Sequence, residues 1–139
     1  MSFREKSAWI SFVSILLAAT PYFVRVAATV FGDADGRQVF GWFFTFVVAL
    51  IVLEVVLHVL VAVRSPAEAR TPMDERERLI ALRAKSAAFP VLIAGAFCAI
   101  GTLHLGVGAW TMSQAVLLAI VVAELVRFGV EIVLHRRQA

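Results

Sequence analysis

Five ionisable side chains stand inside long apolar stretches of this chain: Glu54, His58, Glu124, Arg127 and Glu131. A charge in hydrocarbon is costly unless it meets a counter-charge, a hydrogen-bonding group or water. Such residues therefore mark proton relays, ion pathways or fixed interhelical contacts. Their spacing is helical. Glu54 and His58 are one turn apart, Glu124 and Arg127 are i, i+3, and Arg127 and Glu131 are i, i+4, so one guanidinium can bridge two carboxylates on one face. Glu54 is then the carboxyl without a fixed partner, and His58 is placed to share its proton. The chemistry on offer is a proton relay or a cation site; the alternative is a static network that fixes helix register.

The elements that must hold these groups are four apolar stretches, 8–31, 39–63, 86–105 and 114–134, each long enough to cross ~30 Å of hydrocarbon. Composition agrees, with 61% hydrophobic residues, 17% charged and a mean hydropathy of +0.89. The expected fold is all-α: a polytopic membrane protein of four transmembrane helices in an antiparallel bundle, a single domain over residues 1–139. At 1.5 Å per residue from the inner ends, Glu54 and Glu124 lie ~15 Å deep, with Cys98 at similar depth. Arg127, His58 and Glu131 are shallower. The five ionisable residues thus form one polar layer in the inner half.

Charge sorting sets the orientation. Of the 13 Lys and Arg residues, Arg4, Lys6, Arg64, Arg70, Arg76, Arg78, Arg83, Lys85, Arg136 and Arg137 belong on one side. The other side has Arg37, with Arg25 near enough to snorkel. Both termini and the loop 64–85 are therefore expected in the cytoplasm, and the membrane is expected to be the bacterial inner membrane. Trp9, Trp42 and Trp110 fall where spans should meet headgroups. The first stretch reads as an uncleaved span, because Pro21 follows Ala18-Ala19-Thr20 and apolar residues continue to Phe31.

Gly32-Asp33-Ala34-Asp35-Gly36 and Gly106-Val107-Gly108 supply two tight turns. Pro21 should leave the Leu17 carbonyl without its usual donor. Ser7, Ser11, Ser14 and Ala18 form a stripe of small residues, and Gly95, Ala99 and Gly101 crowd the third span, so both surfaces should face other helices. In the inner loop, Thr71-Pro72-Met73-Asp74 predicts a helix N-cap at Thr71. This short amphipathic helix should run on into the third span, with Leu79, Ile80 and Leu82 as its contacts and an Asp74–Arg78 ion pair. Arg76, Arg78, Arg83 and Lys85 on it suit docking to a partner or to anionic headgroups, or serve simply as a solvated lead-in.

The segment from Thr71 to Ala84, with Ala123-Glu124-Leu125-Val126-Arg127 and His135-Arg136-Arg137, resembles a group of small bacterial four-helix membrane proteins whose activity is not established. The resemblance covers mainly residues 71–137. It implies a partner or sensor role, since some members are similar to proteins encoded beside small DNA-binding regulators, and it carries no catalytic residues.

No phosphate loop, His-Glu-x-x-His helix, nucleophile elbow or Cys-x-x-Cys pair occurs, so no enzyme class has a starting residue set. His58 and His104 are too far apart in depth to share a metal within one subunit, and neither a metal nor any other cofactor is expected. The basic residues follow membrane topology and do not indicate nucleic-acid binding. The expected function is a small accessory or sensor protein acting through a homo-oligomer or a larger membrane or cytoplasmic partner. The alternative is a proton- or cation-linked transporter with the five ionisable residues as its pathway.

Overall fold

Long apolar segments can satisfy their backbone groups internally only as helices, and the computed structural model of this chain is helical throughout its regular parts. It describes residues 3–30, 36–66, 72–106 and 108–137. Among these are four helices: α1 (Phe3–Val30), α2 (Gly36–Arg64), α3 (Glu75–His104) and α4 (Ala109–Arg137). Three of them, α1, α2 and α3, are long and apolar enough to cross a membrane. At 29 residues, α4 is comparable in length, and it carries Glu124, Arg127 and Glu131 within its second half.

The principal contacts run α2–α1–α4–α3. Of the three chain-adjacent pairs, α1–α2 and α3–α4 pack together, and α1 joins the two by packing on both α2 and α4. Positions rise along α1 as they fall along α2, since Ser7 meets His58 and Ser11 meets Glu54. The same holds for α1 and α4, where Glu5 pairs with Arg136 and Tyr22 with Gln114. Residues 3, 64, 75 and 137 thus share one end of the structure, the near end.

The buried face of α1 explains its central place. Ala8, Ser11, Ser14, Ile15, Ala18, Ala19, Tyr22 and Val26 recur at three- and four-residue steps, and most are small enough to let backbones approach. Towards the far end Tyr22 stacks on Phe46, ring centroids 5.0 Å apart, and Val39 and Val121 close the cluster. By contrast α2 leaves Ile51, Val55, Val59 and Val63 exposed. Beside Pro21, Thr20 Oγ1 donates to the Leu16 carbonyl at 2.7 Å, one residue before the Leu17 carbonyl that Pro21 leaves without its usual donor.

The start of α3 differs from expectation. Pro72 and Met73 are not helical, and the N-cap is Asp74, whose carboxylate accepts from Glu75 N at 2.7 Å while Glu77 reaches back to Asp74 N at 3.3 Å. This capping box outcompetes a cap at Thr71, which lies outside the described residues, and it commits Asp74 to the backbone instead of Arg78. The helix then runs unbroken into the apolar segment. Its contact face is Ile80, Ala84 and Ala88, whereas Leu79 and Leu82 are exposed. At the other end Gly106 adopts φ +74°, the left-handed position that favours glycine after a helix. The turn 31–35 and Val107 lie outside the described residues.

Gly95 of α3 meets α4 at close range. A Cβ there would stand 2.5 Å from Ala119 Cβ, whereas one at Gly101 would meet nothing within 4 Å. Of the expected small-residue stripe, Gly95 and the buried Ala99 thus lie at or near a contact, and Gly101 does not. Gly95→Ala is expected to destabilise the fold by about 1–3 kcal/mol through overpacking. Gly101→Ala should be neutral or slightly stabilising. Denaturant titration of the two variants in bicelles measures the difference.

Candidate functional site

The hydroxyl stripe of α1 meets the Glu54–His58 turn of α2. His58 Nε2 lies 2.8 Å from Ser7 Oγ, and His58 Nδ1 lies 2.8 Å from the Glu54 carbonyl oxygen and 3.2 Å from Glu54 Oε2. Ser11 Oγ donates to the same Oε2 at 3.0 Å. A carbonyl oxygen only accepts, so Nδ1 carries a hydrogen. In the neutral ring, Nε2 therefore accepts from the Ser7 hydroxyl. In the imidazolium it donates, and the hydroxyl hydrogen must turn elsewhere. Protonating His58 thus reverses a hydrogen bond that ties α1 to α2.

Glu54 is consequently not the unpaired carboxyl expected from sequence: His58 and Ser11 both engage its Oε2. Its other oxygen, Oε1, is buried without a hydrogen-bond partner among the described residues, as are Ser14 Oγ, Arg127 Nε and Trp9 Nε1.

On α4, Arg127 Nη2 pairs with Glu124 Oε2 at 3.2 Å, as the spacing predicts. The expected second arm of the bridge is not formed. The guanidinium lies over the Phe128 ring, 4.2 Å from its centroid, and Glu131 makes no ion pair among the described residues. Cys98, at similar depth, is exposed on α3 and stands apart from this layer. The layer is therefore two paired clusters, one across α1 and α2 and one on α4.

Three further links were not read from the sequence. Arg4 Nε binds Glu77 Oε2 at 3.1 Å, joining the start of α1 to the start of α3. The same Glu77 oxygen closes the capping box, so one carboxylate serves both contacts. Arg136 pairs with Glu5 at 3.6 Å and covers the Trp9 ring. Tyr22 donates to Gln114 Oε1, both residues being buried. The lone tyrosine and a glutamine inside an apolar run were the available signal for that last pair.

Arg76, Arg78, Arg83 and Lys85 are all exposed on the first turns of α3. The Arg25 guanidinium lies over Trp42 at 5.9 Å. Trp110, with Phe40, Phe43 and Gln114, lines an apolar cleft of about 390 Å³ between α2 and α4. The Thr102 hydroxyl donates to the Ala99 carbonyl. Among the described residues, no three of His, Cys, Asp and Glu are grouped to hold a metal ion.

No protein-family model, curated protein or solved structure matches this chain.

Removing the tyrosine hydroxyl would leave Gln114 buried without its donor. Tyr22→Phe is expected to cost about 1–3 kcal/mol in equilibrium unfolding. Thr45→Val, at an exposed hydroxyl bonded to its own helix at Gly41, should cost close to nothing in the same measurement.

Proposed function

We propose that the chain is a four-span protein of the bacterial cytoplasmic membrane, one of the small four-helix group it resembles, and that it works as a proton-responsive sensor or accessory subunit with no chemistry of its own. In this reading α4 is the fourth span. The helices form an antiparallel bundle, and both termini and the loop 64–85 face the cytoplasm, where Arg76, Arg78, Arg83 and Lys85 meet a partner protein or headgroups.

The observation that carries the reading is the position of the titratable pair. His58 and Glu54 are held at the α1–α2 contact by Ser7 and Ser11, so a change of proton occupancy acts on helix packing. Of the other charged groups of α1 at this end, Arg4, Glu5 and Lys6, the first two are engaged with Glu77 and Arg136. Because Arg4 ties α1 to the capped start of α3, movement of α1 reaches the basic turns. A two-state element biased by a local charge change is what a switch requires.

The order Ser7–His58–Glu54 is also that of a nucleophilic triad. However, Ser7 lies on the second turn of a helix, where the backbone N–H groups that follow it are bonded to preceding carbonyls, so they supply no oxyanion site beside it. The order serves proton exchange in our reading.

A second reading, a proton- or cation-linked transporter, is favoured by the same hydrogen-bonded sequence of Ser7, His58, Glu54 and Ser11. Two measurements separate them. Spin labels at the near ends of α1 and α2 should show a distance distribution that changes between pH 5 and pH 8 and ceases to change in His58→Gln. Vesicles loaded with a pH-sensitive dye should show no proton flux above that of protein-free vesicles. Flux lost in Glu54→Gln would establish the transporter instead, and pH-invariant distances would remove the sensor. A phosphatase reporter fused after residue 139 should be inactive, and activity there would overturn the orientation.

A further inference from the structure

The polar layer contains three buried atoms that its hydrogen bonds leave over: Ser14 Oγ, Glu54 Oε1 and Arg127 Nε. Ser14 is 0% exposed. The three belong to different helices, but the contacts along α1 bring them to one level. Ser7 with His58 and Ser11 with Glu54 set Glu54 opposite Ser11. Glu5 pairs with Arg136, and Phe12 lies 3.7 Å from where a Cβ on Gly129 would stand, so the same stepping sets Arg127 opposite Ser14. Ser11 and Ser14 differ by about 4.5 Å along the helix axis, within reach of side chains as long as Glu and Arg.

A buried polar group without a partner forfeits its hydration with nothing in return, so three at one level call for a shared partner. Their chemistry names it. Arg127 Nε–H can only donate, an ionised Glu54 oxygen can only accept, and the Ser14 hydroxyl does either. The guanidinium repels a metal cation, and the carboxylate repels an anion. A water molecule accepts from the first and donates to the second, with Ser14 as its third partner, which is the usual number for a buried water.

We infer that Ser14, Glu54 and Arg127 bind a water molecule between α1, α2 and α4, and that this water joins the His58–Glu54 and Arg127–Glu124 pairs into one hydrogen-bonded layer. The titratable groups nearest this level are His58, one turn from Glu54 on α2, and Glu124 and Glu131, each within a turn of Arg127 on α4; α1 brings hydroxyls at this level. The inference rests on the sensor reading for its role, since the water is the route by which a proton gained on α2 is felt on α4 and, through the α3–α4 contact, on α3.

Water-edited solid-state NMR of the full chain in lipid bilayers, with arginine, glutamate and serine isotopically labelled, tests it. Magnetisation is expected to pass from water to Arg127 Nε–H and the Glu54 carboxyl. That transfer should be lost in Ser14→Ala and Glu54→Leu and kept in Glu54→Gln, which retains an acceptor. No transfer to Arg127 in the unaltered protein would overturn the inference. So would transfer unaffected by Ser14→Ala, or a direct Arg127–Glu54 hydrogen bond seen as a short nitrogen–carbon distance. Water found here together with pH-invariant α1–α2 distances would leave this site standing and remove only the sensor reading.

Discussion

The α1 surface of small and hydroxyl-bearing side chains is the constraint on which the rest of this fold depends. Ala8, Ser11, Ala18 and Ala19 keep the helix thin enough for two neighbours to approach, and Ser7, Ser11 and Tyr22 give those neighbours something to bond. Leucine against leucine gains little where the surroundings are equally apolar, so close backbone approach and hydrogen bonds must supply the association energy. Larger side chains along this stripe would separate α2 from α1 and leave His58 and Glu54 without their hydroxyl partners. Packing and site are therefore one feature of the sequence.

Much of the architecture was legible in the sequence because helix length and apolar content are local properties. The four helices contain nearly all of the apolar stretches, the i, i+4 pairing of Glu54 with His58 and the i, i+3 pairing of Glu124 with Arg127 are present, and Gly106 takes the turn conformation its type predicts. What sequence spacing alone could not decide was the competition between partners. A serine in a helix bonds its own preceding carbonyl or reaches across, and only the register of α1 against α2 selects the second for Ser7 and Ser11. Arg127 had two carboxylates within one turn, and it pairs with Glu124 while its guanidinium lies over Phe128. Asp74 had an arginine one turn away, and the free N–H groups of the first turn of α3 claimed it.

The contact pattern also distributes exposure unevenly. As the most apolar of the helices, α2 packs mainly on α1 and presents a ridge of β-branched residues, Ile51, Val55 and Val59, to its surroundings. In water such a ridge would be an aggregation surface. Against acyl chains it carries no such penalty. The ionisable members of α2, Glu54 and His58, turn instead towards α1.

The unbroken course of α3 has a mechanical corollary. Ile80, Ala84, Ala88 and Ala99 are buried along it and Gly95 meets α4 at close range, so the arginine-bearing turns and the apolar length belong to one rod seated on one neighbour. Any shift of that seat is carried to the tip at Glu75 undiminished, with no hinge required along the way.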